Sequence, residues 1–158
     1  MDEEGEGMDI VWEAGDKIMM MESTEHTLSF ELKFYVHATP DEVMELLTNT
    51  DFIKDWSGAG AQIEKKVGGQ FMMFDGWVRG NVQSIGEKEL SYTWKPSEWE
   101  AATVASIVKY RLEEAEHGTT VHVEHSGFPN KEEMEDHKTG WEEHFFGPIG
   151  EYLANRNL

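Results

Sequence analysis

The chain has 158 residues, of which 39% are hydrophobic, so its length and composition fit one globular domain with a sizeable core. It carries 13 basic and 32 acidic residues, and its net charge of −19 excludes the basic surface that nucleic acids and anionic membranes attract. The absence of cysteine excludes a disulfide scaffold, a thiolate metal site and a cysteine nucleophile. No apolar run reaches the roughly 20 residues needed to cross a bilayer, and no secretion signal is evident. We therefore expect a cytoplasmic protein without nucleic-acid or membrane partners.

The first 25 residues differ in composition from the rest. They contain nine acidic residues and one lysine, without a sustained hydrophobic period. Such a segment buries too little apolar surface to offset the entropy lost on folding. We predict an acidic, mostly disordered extension over residues 1–25, with room for a short strand near Ile10–Trp12 or Ile18–Met21. A single folded domain is expected over residues 26–158.

The folded part begins with a strand and two helices. Apolar and polar residues alternate from Leu28 to Val36, which predicts a strand with one buried face. The segment Thr39-Pro-Asp-Glu42 follows, in which threonine can cap a helix, proline suits the first helical position and glutamate can bond back to the cap amide. A second cap, at Thr50 or Asp51, predicts another short helix.

Six further segments have the pattern of strands. Gly86-Glu87 and His117-Gly118 are expected to form hairpin turns between them. Gly68-Gly69 is expected to form a bend, because no Gly-Lys-Ser/Thr follows as in a phosphate-binding loop. Together the segments predict an antiparallel meander, and they are Ala61–Lys66, Gln70–Asp75, Trp77–Ile85, Glu89–Lys95, Thr103–Glu114 and Thr119–Gly127.

A long amphipathic helix ends the chain. Asn130 and Glu133 predict its capping box, and Pro148 predicts a kink near Gly147. The residues that repeat at three- and four-residue steps are Met134, His137, Trp141, Phe145, Ile149 and Tyr152. The whole layout predicts an α+β domain, in which an antiparallel sheet of about six to seven strands curves around the long C-terminal α-helix.

Several short motifs, in this order, resemble one known family. They are Ala38-Thr-Pro-Asp-Glu-Val43, Leu47-Thr48, Trp56, Gly68-Gly-Gln-Phe71, Gly80, Trp94, Gly118-Thr119, His125-Ser-Gly127 and Gly140-Trp141. Over residues 26–155 the chain resembles the SRPBCC (START-like) superfamily and, within it, the activators of heat-shock protein 90 ATPase homologues. The resemblance implies a helix-grip fold with a cavity between sheet and helix. Members bind lipids, hormones or polyketide-like compounds, and some are cyclases. The segment Phe146-Gly-Pro-Ile-Gly150 departs from the leucine-rich pattern expected there, which affects the mouth of the cavity.

Aromatic and polar side chains that can face such a cavity are the candidate ligand contacts. Strand parity and helix phase turn Trp94 and Trp141 inward, and Tyr110 can offer its hydroxyl to a ligand or to His125. Gly140 is expected to let the helix approach the sheet. Core packing is the alternative role for each candidate. The set is Trp56, Phe71, Trp77, Trp94, Tyr110, His125, Trp141 and Phe145.

The histidines do not form a metal-binding pattern. If the valines at 121 and 123 face inward, His125 does too and His122 faces outward, so the His-Val-Glu-His string is not a chelate. His125 is then either a polar group in the cavity or a core histidine bonded to the protein. His137 and His144 are seven residues apart, not at the i and i+4 spacing of helical zinc sites, and are interpreted as solvated flanks of the helix. We predict no metal and no cofactor.

These observations favour a binding protein. The leading hypothesis is that a small hydrophobic or amphipathic ligand binds between the sheet and the C-terminal helix. A first alternative is a stress-related co-chaperone that interacts with a chaperone ATPase. A second is a cyclase or lyase with His125 as general base. That alternative ranks lowest because no second acid or base accompanies His125, and we assign no catalytic residue.

Overall fold

A computed structural model describes residues 28–156, so the predicted extension over residues 1–25 lies outside the described residues. Seven strands form one sheet: β1 (Ser29–Val36), β2 (Gln62–Ile63), β3 (Gln70–Met73), β4 (Val78–Ile85), β5 (Glu89–Pro96), β6 (Ser106–Ala115) and β7 (Gly118–Ser126). They lie in the order β1-β7-β6-β5-β4-β3-β2, with every neighbouring pair antiparallel. The predicted α+β helix-grip architecture is confirmed.

The two helices after β1 begin at side-chain caps. The helix α1 spans Pro40–Thr48, and its predicted capping box is present: the Thr39 hydroxyl accepts from the Glu42 amide at 3.2 Å, and the Glu42 carboxylate accepts from the Thr39 amide at 3.0 Å. The helix α2 spans Thr50–Ser57, and the predicted cap at Thr50 or Asp51 is wrong. The cap is Asn49, whose backbone is extended (φ −88°) and whose side chain accepts from the Asp51 amide at 3.0 Å.

Some strands are shorter than the alternation predicts. Pairing in β2 stops after Gln62–Ile63, because the backbone turns at Glu64, whose carboxylate accepts from the amide of Gln70 at 2.8 Å. The strand β6 begins at Ser106, and Val104, predicted to lie within it, is 82% exposed. The pattern also missed a tight turn over Phe74–Gly76, where Phe74 and Asp75 adopt left-handed conformations. That turn brings Trp77 back to the edge of the core.

The C-terminal helix runs from residue 131 to residue 156 in three parts. They are α3 (Lys131–Gly140), a π-helical segment (Trp141–Phe146) and α4 (Gly147–Arg156). Asn130 caps its start, accepting from the Glu133 amide at 2.8 Å, but the predicted capping box is only half formed, because the Glu133 carboxylate accepts from the Trp99 indole at 2.9 Å. A kink was predicted near Gly147, and the structure has the π-helical segment there, in which the Gly147 amide donates to the Glu142 carbonyl five residues earlier. The wider turn accommodates proline, which lacks an amide hydrogen and crowds the preceding turn.

The core lies between the sheet and this helix. Inward residues of the strands, such as Val108, Val121 and Val123, are fully buried and pack with Ile149 and Leu153 of α4. Within the part of the chain that the structure describes, no helix is long and apolar enough to cross a membrane.

Candidate functional site

The candidate site forms where β5 ends beside the C-terminal helix. Alternation along β5 turns Leu90, Tyr92 and Trp94 to the same buried face, and helix phase turns Trp141 and Phe145 toward them. The rings of Trp94 and Trp141 lie 5.4 Å apart, centroid to centroid. The site therefore begins as an aromatic layer that joins sheet to helix.

A pocket of about 280 Å³ opens at the edge of this layer. One wall is the turn before β4, another is the end of β5, and the third is the helix across the junction of α3 and the π-helical segment. The exposed side chains of Glu98, Asp136 and His144 at its rim show that it reaches solvent. Its lining residues are Phe74, Trp77, Trp94, Glu98, Asp136, His137, Gly140, Trp141, His144 and Phe145.

His125 lies one side chain deeper than the pocket wall. It is 0% exposed, and its Nδ1 accepts from the indole N–H of Trp141 at 3.1 Å. Its Nε2 therefore carries the hydrogen and donates to the Ser106 hydroxyl at 2.9 Å, which in turn donates to the Trp94 carbonyl at 2.7 Å. Every polar atom of this chain of bonds has a partner when the imidazole is neutral. The prediction that His125 faces inward is confirmed, and the core-histidine alternative describes its contacts.

Electrostatics also favour the neutral form of His125. Burial, and secondarily the neighbouring His137, lower the pKa of His125 well below its usual value. A proton added at Nδ1 would face the Trp141 N–H, which is itself a donor. His122, three residues earlier on β7, lies on the other face of the sheet and bonds the Glu113 carboxylate at 2.8 Å. This bond lowers the pKa of Glu113. The two histidines thus occupy opposite faces, as predicted.

His137 lines the pocket, although the spacing of the histidines did not predict it as a site residue. It was interpreted as a solvated flank, but only 9% of it is exposed. Its Nδ1 donates to the Glu133 carbonyl at 2.9 Å, and its Nε2 accepts from the Trp94 indole at 3.1 Å. Burial lowers the pKa of His137, against the opposing effects of that carbonyl and of nearby carboxylates. Its position four residues before Trp141, on the apolar stripe, was the signal that could have placed it inside.

The hydroxyl of Tyr110 has a different partner from those proposed. It forms a short hydrogen bond, 2.5 Å, with the hydroxyl of Tyr92, and both side chains are buried. Burial raises the pKa of both phenols. Tyr110 packs edge-on against Trp141, with ring centroids 5.9 Å apart. It therefore supports the wall of the pocket from inside the core.

The eight candidates separate into two groups. Trp77, Trp94, Trp141 and Phe145 line the 280 Å³ pocket. The other four, Trp56, Phe71, Tyr110 and His125, are buried and do not line it. The Trp56 indole donates to the Leu46 carbonyl at 2.8 Å, and the Phe71 ring stacks on that of Tyr92 with centroids 3.9 Å apart. Direct ligand contact by any of the eight stays a prediction.

Two further features of the described residues bear on function. Among residues 28–156 no group of three or more His, Asp or Glu side chains is placed to hold a metal ion. A shallower, more polar depression of about 560 Å³ lies on the outer face of the sheet, where Arg79, Lys95 and Trp99 are among its lining residues. It is separate from the aromatic pocket, with which it shares no lining residue.

A seven-stranded sheet closed by a long helix, with an aromatic pocket where they meet, defines a helix-grip protein. Residues 37–154 match the family described as Activator of Hsp90 ATPase homolog 1-like protein, and the chain belongs to that family. The predicted resemblance is thereby confirmed.

Curated relatives match most of this chain but only part of their own length. Activator of 90 kDa heat shock protein ATPase homolog 1 from Mus musculus is 27% identical over 124 residues, which cover 78% of this chain and 36% of the relative. The Homo sapiens protein of the same name matches to the same extent. The chain thus spans about a third of the length of these relatives.

Solved structures show the same fold. An HSP90 activator from Plasmodium falciparum superposes with a TM-score of 0.72 at 24% identity, covering 80% of this chain and 96% of that one. A protein from Mesorhizobium loti superposes with a TM-score of 0.71 at 24% identity, covering 82% of this chain and 99% of that one. At this identity the likeness establishes the fold alone.

Proposed function

We propose that the protein binds a small apolar or amphipathic molecule in the pocket between the turn at Phe74–Gly76, the end of β5 and the C-terminal helix. The observation that carries the proposal is the wall of this pocket, where three tryptophans meet around about 280 Å³ of space. Ligand pockets are typically apolar and aromatic, with a few placed polar groups, and begin near roughly 300 Å³. The pocket therefore suits a compact ligand rather than a long lipid.

Burial of apolar surface supplies the driving force, at about 25 cal/mol per Å². His137 is the polar group at the wall, and its bond to Trp94 fixes the plane of that indole. His125 acts through Trp141, whose indole it holds at 3.1 Å, and is a positioning residue in this proposal. Both ring nitrogens of His125 are already bonded and it is not among the pocket-lining residues. For that reason we do not propose the cyclase or lyase activity that would need it as general base.

Gly140 offers a direct test, because it lines the pocket in an ordinary helical conformation (φ −63°, ψ −31°). This glycine was expected to let the helix approach the sheet. Instead, the nearest atom to an added Cβ is the Cδ2 of His144 at 3.8 Å, an ordinary contact. Gly140→Leu should fill the pocket without straining the backbone, and Gly140→Ala is the matched control.

The measurement is a screen of small aromatic and aliphatic compounds by tryptophan fluorescence and melting temperature. We expect at least one compound to quench saturably and raise the melting temperature of the wild type and of Gly140→Ala. The same compound should lose at least tenfold in affinity, about 1.4 kcal/mol, for Gly140→Leu. Equal binding to Gly140→Leu, or no response to any compound, contradicts the proposal.

Membership of the family favours a second candidate function, stimulation of a chaperone ATPase. The curated relatives are named as activators of the 90 kDa heat shock protein ATPase, and this chain corresponds to 36% of their length. A net charge of −19 means that a partner surface should be basic and that the complex should weaken with salt. The test is the ATPase rate of the chaperone with and without this protein, at low and high salt. An unchanged rate at both excludes the function.

A further inference from the structure

The rim of the aromatic pocket is strongly acidic. Glu98, after β5, and Asp136, on α3, both line it, and its lining residues include no lysine or arginine. The remaining ionisable side chains there are His137, which burial keeps neutral, and the exposed His144. The pocket thus combines apolar walls with two carboxylates at its mouth.

Both carboxylates act on the interior of the pocket. The charges of Asp136 and Glu98 raise the pKa of His137, in opposition to the larger effect of burial. His137 forms part of the pocket wall, so a positive charge placed beside it would be stabilised by the same two side chains. The negative charges of Glu98 and Asp136 therefore act inside the pocket as well as at its surface.

The aromatic walls also suit a cation. The rings of Trp77 and Trp94 lie 6.2 Å apart at 79°, and those of Trp94 and Trp141 lie 5.4 Å apart at 37°. Faces of indole rings carry negative potential, and tryptophan gives the strongest cation–π interactions. Indole rings that are not parallel can offer such faces to one space from more than one direction.

We propose that the ligand of this pocket is an organic cation, a quaternary ammonium or protonated amine attached to a small apolar body. The inference rests on the proposed function and narrows its ligand class. The ammonium would lie among the indoles, within reach of Glu98 and Asp136, and the apolar body would contact Phe74 and Phe145. An anionic ligand such as a carboxylate would be repelled by the same rim and by the net charge of −19.

Three probes, two of them of the same shape, separate charge from burial. They are benzyl alcohols whose para substituent is trimethylammonium, tert-butyl or carboxylate, titrated at neutral pH with tryptophan fluorescence as the readout. We expect the trimethylammonium compound to bind at least about tenfold more tightly than the tert-butyl compound, as cation–π contacts of this kind provide. The carboxylate should bind most weakly, and added salt should reduce only the preference for the cation.

Variants identify the responsible carboxylates. Glu98→Gln and Asp136→Asn should each weaken cation binding about threefold to tenfold and leave the tert-butyl compound unchanged. Glu135→Gln is the matched control, since Glu135 is an exposed neighbour on α3 that does not line the pocket. It removes the same unit of charge and should have little effect.

Each outcome is decisive. Equal affinity for the cationic and tert-butyl compounds overturns the inference while leaving the proposed function standing. Equal loss in Glu135→Gln and Asp136→Asn overturns it as well, because the effect would then be that of net charge. If none of the three probes binds, the inference fails, and the wider compound screen decides the proposed function separately.

Discussion

At the scale of single residues, the site depends on two neutral imidazoles that each accept from an indole. Trp141 donates to His125 and Trp94 donates to His137, at 3.1 Å in both cases. A buried acceptor that loses its donor costs more than the lost bond, because it was desolvated on folding. These bonds should therefore fix the pocket walls more firmly than ring packing alone.

The indole of Trp141 can be tested against that of Trp99. Trp141→Phe leaves the Nδ1 of His125 buried without a donor, and should lower the free energy of unfolding by about 1–3 kcal/mol more than Trp99→Phe. The indole of Trp99 donates to the Glu133 carboxylate at 2.9 Å, and that side chain is 28% exposed, so water can replace the bond. Urea denaturation of the two variants measures the difference. Equal losses would show that the bond to His125 contributes nothing.

The same imidazoles predict how stability depends on pH. The pKa of His125 and that of His137 are lowered in the folded state, whereas an unfolded histidine titrates near pH 6.5. Above that pH both states are neutral and stability is complete. Below it the unfolded chain takes up protons first, so the free energy of unfolding falls, by up to about 1.4 kcal/mol per pH unit for each group, until the folded pKa is reached.

Urea denaturation between about pH 7.5 and pH 5.5 measures this slope. His137→Gln should have a shallower slope than the wild type, because an amide oxygen can accept from Trp94 but does not titrate. An identical slope in the two proteins contradicts the assignment of His137 as a buried neutral base.

Sequence alone determined the direction of these side chains but not their partners. Strand parity placed Trp94 and His125 on the buried face, because alternation is a local property of a strand. The bonds of His125 join β7 to β6 and to the helix, so they depend on how distant elements are positioned. For this reason the parity of β6 could not decide between a ligand and His125 as partner of the Tyr110 hydroxyl, which bonds Tyr92 on β5 instead.

At the scale of elements, local signals predicted best where residues close together in the sequence decide the outcome. The Thr39 capping box was correct because it involves only residues three apart. The second cap was predicted one or two residues too late, since the hydroxyl of Thr50 and the carboxylate of Asp51 suit a cap as well as the Asn49 amide does. The π-helical segment could not be predicted from Pro148 alone, because a proline can equally end or kink a helix.

Two glycines of α4 test the account of the π-helical segment with the same substitution. At Gly147 a methyl group would lie 2.5 Å from the carbonyl oxygen of Glu142, whereas at Gly150 it would meet nothing within 4 Å. Gly150→Ala should raise the free energy of unfolding by about 0.5–1 kcal/mol, as at ordinary helical sites. Gly147→Ala should lower it. Thermal or urea denaturation measures both changes in the free energy of unfolding. Stabilisation by both substitutions would contradict the close contact at Gly147.

At the scale of the whole molecule, fold and charge act together. The helix-grip architecture was predictable because the order of motifs and the alternation of strands agree on one topology. The extent of the pocket was not, since a cavity is the space left after side chains from many elements have packed. Candidates such as Trp56 and Phe71 fill the core that was expected to be open. The aromatic pocket lies beside that core.

The location of ligand binding is the central claim, and the indole N–H resonances of the protein report on it directly. A two-dimensional ¹H–¹⁵N spectrum, assigned with Trp→Phe variants, would be recorded while a compound that binds in the fluorescence screen is added. We predict saturable shifts that are largest at Trp77, Trp94 and Trp141, which line the pocket, and smaller at Trp99, which does not line it and packs against His137 with ring centroids 6.1 Å apart. Shifts at Trp99 alone, or no shift at any indole, would contradict the account.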